Sequence, residues 1–260
     1  MNADPMTYQT LRVEKKEGFC KITLHRPAEM NALSREMCRE LEECFACLEE
    51  DSEVRAILLT GGDYFFSAGM DLKEMSALSG PEISGYFRGI SRYLKKICGC
   101  RKPVIAAVGG IALGGGFNLA TVCDLIVASE SAIFGHPELK FGLNPLFNPL
   151  RQIVGMAKAK EITMMGEPIG AREAFRIGLV NKVASPDKMM AEAESIAREL
   201  ARRLPEAIEA VKRISDIAPR LDKGAALDLE MDVSALLFSS EERKGHMKEF
   251  MESLKSRKKK

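Results

Sequence analysis

Gly109-Gly110-Ile111-Ala112-Leu113-Gly114-Gly115-Gly116-Phe117-Asn118 lies between two short apolar runs, Pro103–Val108 (PVIAAV) and Asp124–Ser129 (DLIVAS). Each run reads as a buried strand. The glycine-rich stretch follows the first and opens a helix. Strand, helix and strand at this spacing imply parallel pairing, because parallel neighbours need a crossover. Toward the N-terminus, Arg55–Thr60 (RAILLT) is another buried run, and Gly61-Gly62-Asp63 turns the chain after it. Phe19–His25 reads as a strand ended by Arg26-Pro27. Ser34 suits the N-cap of a helix reaching Glu50, with Met37, Leu41, Cys44, Phe45 and Leu48 on one stripe. Pro81–Cys98 is also helical in pattern. The result is an α/β layer architecture. Toward the C-terminus, Pro186–Leu204, Pro205–Ser215 and Leu227–Leu254 carry helix-period apolar residues and no strand run. The expected organisation is a core over residues 1–185 and a helical region over 186–260. That region either covers the core or reaches a neighbouring subunit. Lys255–Lys260 holds five basic side chains and reads as a solvated end.

Composition narrows the function. The chain has 260 residues, 46% hydrophobic and 29% charged, an ordinary balance for a soluble globular protein. A net charge of +1 argues against a nucleic-acid binder working through a broad basic field. No run approaches the roughly 18 apolar residues of a membrane span. Met1-Asn2-Ala3-Asp4-Pro5 does not begin a secretory signal. Seven cysteines, an odd count at ordinary apolar positions, suit a reducing cytoplasm. Cys44 and Cys47 form a CxxC pair, and Cys98 and Cys100 a CxC pair. A zinc site needs four ligands, and Cys44 lies on an apolar helix stripe, so no metal is expected.

Three segments carry chemistry. In the glycine-rich stretch the dinucleotide pattern GxGxxG fails at every register. The P-loop pattern fails because Gly116-Phe117 stand where Lys-Ser/Thr belong. Two readings stay equal: backbone N–H groups at a helix start that receive an anion or an enolate oxygen, and a close packing turn. The second segment is Phe65-Phe66-Ser67-Ala68-Gly69-Met70-Asp71-Leu72, able to supply another N–H. Ser67 is not in a nucleophile elbow, and His136 could be its base only by an accident of the fold. The third is Phe134-Gly135-His136-Pro137-Glu138-Leu139-Lys140-Phe141-Gly142-Leu143. Glu138 follows a proline among apolar residues, where a carboxyl can serve as acid or base. Taken alone it reads better as a surface glutamate after a proline.

Together these segments resemble the crotonase superfamily, the enoyl-CoA hydratase/isomerase family. The likeness is ordered along the chain. It begins with Ile22-Thr23-Leu24-His25-Arg26-Pro27 and Asn31-Ala32-Leu33-Ser34. It continues through Phe66–Leu72, Pro103–Val108, Ala112–Gly116, Cys123-Asp124 and Phe134–Glu138, and ends with Gly166, Ala171–Ala174 and Gly178–Val180. The resemblance implies a fold of repeated ββα units with a C-terminal helical trimerisation region. It implies a homotrimer or hexamer, and an acyl-CoA thioester as substrate with no other cofactor. By motif position, the Met70 and Gly115 N–H groups would hold the thioester oxygen. Ala68, Met70, Asp71, Leu72, Lys73 and Gly115 would border the substrate. Arg26, Lys73 and the tail lysines are unranked candidates for the CoA phosphates.

One departure matters. Family hydratases hold water with two glutamates. Glu138 matches one, and Asn118 stands where the other belongs. Asparagine can hold a water but cannot take its proton. The first reading is a hydratase-type lyase on an α,β-unsaturated acyl-CoA, with Glu138 carrying the proton and Asn118 orienting water. Alternatives are a double-bond isomerase or a CoA decarboxylase using one glutamate, and a non-catalytic CoA-binding relative. The bulky Asn144-Pro145-Leu146-Phe147-Asn148-Pro149 suggests a reshaped acyl pocket for a branched or cyclic group.

Overall fold

The computed structural model describes residues 7–240, 243–245, 247–248 and 251–252. In chain order the strands are β1 (Leu11–Lys16), β2 (Phe19–Leu24), β3 (Ala56–Thr60), β4 (Phe65–Ser67), β5 (Val104–Val108), β6 (Ile111–Leu113), β7 (Leu125–Ser129), β8 (Ile133–Gly135), β9 (Ile169–Gly170) and β10 (Lys182–Ala184). They form two sheets. The larger has the order β1-β2-β3-β5-β7-β10, and the smaller β4-β6-β8-β9. β1 and β2 are an antiparallel hairpin, and every other pairing in the large sheet is parallel. In the small sheet β4, β6 and β8 are parallel, with β9 antiparallel at the edge.

The topology repeats. Three times the chain lays one strand in the large sheet and the next in the small one: β3 then β4, β5 then β6, β7 then β8. Helices follow each pair: α2 (Leu72–Ser76) and α3 (Gly80–Cys98), then α4 (Gly115–Thr121), then a 3-10 turn at Pro137–Phe141 and α5 (Phe147–Met165). This is the ββα repeat. Every residue of β3 and β5 is buried, which explains their continuous apolar runs. The strands of the small sheet are two or three residues long. They are too short to show a period in the sequence, and none was read above as a strand.

Helix α1 (Arg35–Glu50) begins as expected: the Ser34 hydroxyl accepts from the Met37 N–H at 3.2 Å. The stripe from Met37 to Leu48 is buried. The same helix buries Glu40, which the sequence did not single out. Its carboxylate accepts from the Gln9 N–H (2.6 Å), the Thr10 N–H (2.9 Å) and the Thr10 hydroxyl. It ties the segment entering β1 to the helix.

The chain forms two compact units, Met1–Leu200 and Ala201–Lys260. The division falls later than the expected residue 185. Between β9 and β10 runs α6 (Ala171–Arg176), and after β10 comes α7 (Pro186–Ala201). α7 belongs with the first unit because Met189, Ala193 and Ala197 are buried and the Arg198 guanidinium lies 5.7 Å from the Phe19 ring centre. The second unit holds α8 (Pro205–Ile217), a 3-10 turn at Ala218–Arg220, and α9 (Lys223–Phe238). Asp222 caps α9, accepting from the Gly224 and Ala225 N–H groups. The helix expected over Leu227–Leu254 is met to Phe238; part of its remainder and all of Lys255–Lys260 lie outside the described residues.

Replacing Glu40 by Ala strands the buried Thr10 N–H and hydroxyl and removes the acceptor of the Gln9 N–H. Glu40→Ala is expected to lower unfolding free energy by about 2–4 kcal/mol, with Glu40→Gln losing less because one acceptor remains. Urea unfolding of the two variants measures this, and an unchanged midpoint for Glu40→Ala refutes it.

Candidate active site

Beyond β4 the chain runs extended beside Met30–Leu33. The Ala68 N–H donates to Met30 O (3.0 Å), the Leu33 N–H to Gly69 O (2.8 Å), and the Asp71 N–H to Leu33 O (3.3 Å). Met70 thus pairs with Leu33 in an isolated parallel bridge. Successive peptide groups of an extended chain point to opposite sides. Since Gly69 O and Asp71 N–H face Leu33, the Met70 N–H faces away, and no described residue accepts from it. Two polar side chains fix this turn. The Asn31 amide donates to Gly61 O and Phe65 O and accepts from the Arg26 N–H. The Ser67 hydroxyl donates to Asn31 O at 2.7 Å and accepts from the Gly69 N–H. Ser67 is therefore a buried turn-former.

The glycine run divides between the two roles left open above. A Cβ on Gly116 would collide with the Ser67 carbonyl, so this glycine permits close packing. Gly114 has φ +51°, ψ −120°, a conformation that suits glycine. A Cβ there would stand 3.1 Å from Glu138 Oε1, so the carboxyl lies directly over this bare backbone. A Cβ on Gly115 would meet the Met70 sulfur at 2.9 Å. Gly115 is the first residue of α4, so its N–H has no partner within the helix, nor any other described acceptor.

Glu138 sits in the 3-10 turn after β8 with its side chain 12% exposed. His136, fully buried, places Nδ1 3.4 Å from each carboxylate oxygen. Its ring centre is 4.7 Å from that of Phe117. His136 thus turns to Glu138, and the Ser67 hydroxyl is already committed to the backbone.

A cavity of about 380 Å³ opens on these groups. Ala68, Met70, Asp71, Leu72, Lys73, Gly115 and Glu138 all line it, together with Met30, Phe141 and Leu143. Asn118 does not line it. It lies buried one turn into α4, and its Oδ1 has no partner among the described residues. None of Asn144–Pro149 lines the cavity either; Phe141 and Leu143, just before that segment, do so. Arg26 is committed inward, donating through Nη1 to Asp71 Oδ2 (2.9 Å) and Ala32 O (2.7 Å). Asp71 also caps α2, accepting from the Lys73 and Glu74 N–H groups. Burial pushes the Asp71 carboxyl up, but the Arg26 guanidinium and these N–H groups more than offset it, so it sits below the usual carboxylate range. Lys73 is exposed at the cavity wall and pairs with no described acid. Among the described residues no cluster of His, Cys, Asp and Glu could hold a metal. The seven cysteines are free thiols; Cys44 is buried on the apolar stripe of α1 and Cys47 is exposed.

Two N–H groups without acceptors, a carboxyl across a bare glycine and a largely apolar cavity make a site for a carbonyl compound. Such donors can hold an oxygen gathering negative charge while the carboxyl moves a proton at the neighbouring carbon. Comparison with known proteins agrees in class. Residues 14–259 match the family model described as enoyl-CoA hydratase/isomerase. The chain belongs to that family, the crotonase superfamily. It is 37% identical to a short-chain-enoyl-CoA hydratase of Clostridium acetobutylicum, over 96% of this chain and 97% of that protein. It is 34% identical to a crotonyl-CoA hydratase of Syntrophomonas wolfei, over 96% and 98%. It superposes on a crystal structure of enoyl-CoA hydratase from Bacillus anthracis with a TM-score of 0.90, at 30% identity, over 94% and 97%.

Gly114→Ala forces a side chain into a left-handed conformation against Glu138. It is expected to cost about 1–2 kcal/mol of stability and to reduce any turnover that uses Glu138 by at least about tenfold; thermal melts and initial rates test both. Asp71 gives a pH signature. Its folded pKa lies below its unfolded value, so its stabilisation is fully present above the unfolded value of about 3.9 and is lost as pH falls through the folded one. Asp71→Asn should therefore be less stable than the parent at pH 7, with the gap closing under acid. Urea titrations at both pH values measure it, and a pH-independent gap refutes it.

Proposed function

We propose that this protein is a hydratase-type lyase that adds water across the double bond of a 2-enoyl-CoA. One observation carries the reading: the Glu138 carboxyl lies against Gly114, beside the Gly115 N–H that no described residue accepts from. The Met70 and Gly115 N–H groups receive the thioester oxygen. Water attacks the β-carbon, Glu138 takes its proton, and the electrons of the double bond pass to the oxygen as an enolate. Glu138 then returns the proton to the α-carbon, which collapses the enolate and completes the addition. Asn118 is not on the cavity wall; its support for a water-orienting role is its unpartnered buried Oδ1, which can accept a water O–H but not take the proton. Thioester polarisation supplies the electronic work, so coenzyme A enters only as part of the substrate.

Ala68, Asp71 and Leu72 border the CoA chain, and Lys73 faces its phosphates. The relatives' names favour a short linear acyl group. A branched or cyclic acyl group, suggested by Asn144–Pro149, is weakened because that segment does not line the cavity. Asn118 keeps a second reading in play: an isomerase, in which Glu138 takes an α-proton and returns it at the γ-carbon. The second unit is the oligomerisation region. α9 exposes Leu227, Met231, Leu236 and Phe238, a surface that a homotrimer or hexamer would cover. The reading places the enzyme in the cytoplasm. Among the described residues no helix is long and apolar enough to cross a membrane.

The test is mass spectrometry of linear 2-enoyl-, linear 3-enoyl- and cyclic dienoyl-CoA after incubation in heavy water. A product heavier by one water from the linear 2-enoyl-CoA is expected. A shifted double bond or deuterium uptake without added water would replace the hydratase with the isomerase. Glu138→Gln should lose about 10²–10⁴-fold in kcat while still binding a saturated acyl-CoA. Sedimentation should give the mass of three or six chains; a monomer would refute the assigned role of the second unit.

A further inference from the structure

His136 is the buried titratable group at this site that the proposed chemistry leaves unused. Nothing of its ring is exposed. Nδ1 is 3.4 Å from both oxygens of Glu138. Nε2 is buried with no partner among the described residues. Phe117 covers the ring at 4.7 Å between centres, and Phe134 lies beyond it, 5.8 Å from Phe117. A buried polar group normally has a partner, so the one contact this ring makes defines its tautomer. A hydrogen on Nδ1 gives Glu138 a donor and leaves only a lone pair unmatched at Nε2. A hydrogen on Nε2 would leave an N–H unmatched among aromatic rings and turn a lone pair toward a carboxylate.

We propose that His136 is a positioning residue for the hydration, donating from Nδ1 to Glu138 and fixing the plane of its carboxyl over Gly114. The inference rests on the role given to Glu138 above. Its physical basis is the contact of Nδ1 with Oε1, while Oε2, also 3.4 Å away, has no hydrogen-bond partner among the described residues. Nδ1–H can keep donating to Oε1 while the proton is taken up and returned on Oε2. The carboxyl stays in place through both halves of the reaction, collecting the proton from water and delivering it to the α-carbon. With Asn118 unable to carry a proton, both halves fall on this one group. A carboxyl free to rotate about its side-chain bonds would spend much of its time out of reach of the water or of the α-carbon. His136 touches neither water nor thioester in this account and acts through Glu138 alone.

The test compares His136→Gln with His136→Met, side chains of similar length with and without an N–H donor. Both are assayed on crotonyl-CoA for kcat and KM, with binding of butyryl-CoA as the check on the folded site. The expected result is a fall of about 10–100-fold in kcat for the Met variant, the scale of misplacing a catalytic group. KM should stay within about twofold, and the Gln variant should recover most of the loss. Equal kcat in the two variants overturns the donor role, whether both are active or both impaired. A Met variant that fails to bind butyryl-CoA is replaced in the pair by His136→Leu, read against Gln in the same way. Glu138→Gln runs alongside. If it retains turnover, the reading of Glu138 falls; if it is inactive while the His136 pair shows no difference, only this inference falls.

Discussion

The site depends on a contact between two stretches of bare backbone. Gly69 approaches Leu113–Gly115 so closely that a Cβ on it would stand 2.8 Å from Leu113 O and 3.2 Å from Gly115 N. These stretches end successive strands of the small sheet, β4 and β6. That sheet is therefore what aligns the loops, and the large sheet only supplies the frame. Any side chain at Gly69 would separate the Met70 and Gly115 N–H groups. The fold brings the two donors together by removing side chains, which is why the segments on both sides of the contact are rich in glycine.

The Met70 and Gly115 N–H groups stand at the cavity wall with no acceptor among the described residues. The surroundings over-determine the turn that holds them. Arg26 joins Asp71 to Ala32 O, Asn31 bridges Gly61 and Phe65, and Ser67 ties Asn31 to Gly69. These bonds run around the back of the Met70 peptide and none reaches its N–H. On the reading proposed above, the donors are aimed before a thioester arrives, so none of them need reorient when negative charge develops on its oxygen.

The sequence made the large sheet legible and the small one nearly invisible. β3 and β5 are buried on both faces, and such strands read as unbroken apolar runs. α1 announced itself through Ser34 and its stripe. β4, β6 and β8 are three residues each, below the length at which alternation is visible, and they fell in or beside the three segments read for chemistry rather than for strands. The glycine run could not be resolved from sequence because it does both things proposed for it: Gly116 packs, while Gly114 and Gly115 face the cavity. The cavity residues Ala68 to Lys73 followed from the resemblance. His136 was visible but drew attention only as a partner for Ser67, since nothing local says that the ring turns toward a residue two positions on. Glu40 was hidden for the same reason: a carboxylate on an apolar stripe gives no hint that the donors it meets lie at Gln9 and Thr10.

The replacement of a second carboxyl by Asn118 bears on rate before it bears on reaction type. Addition of water moves one proton, from water to the α-carbon, and one carboxyl can carry it. A second carboxylate helps by holding the water and stabilising charge as the O–H bond weakens. The Asn118 amide oxygen can do the first and not the second. On the mechanism proposed above, the whole proton transfer then falls on the Glu138 carboxyl, whose access to the water and to the α-carbon depends on its orientation over Gly114. The same limit leaves isomerisation untouched, because that reaction has no water to activate. On the proposed reading, the balance between the two reactions is set by the substrate: a 2-enoyl thioester offers an electrophilic β-carbon to a water whose proton Glu138 takes, and a 3-enoyl thioester offers Glu138 an acidic α-proton instead.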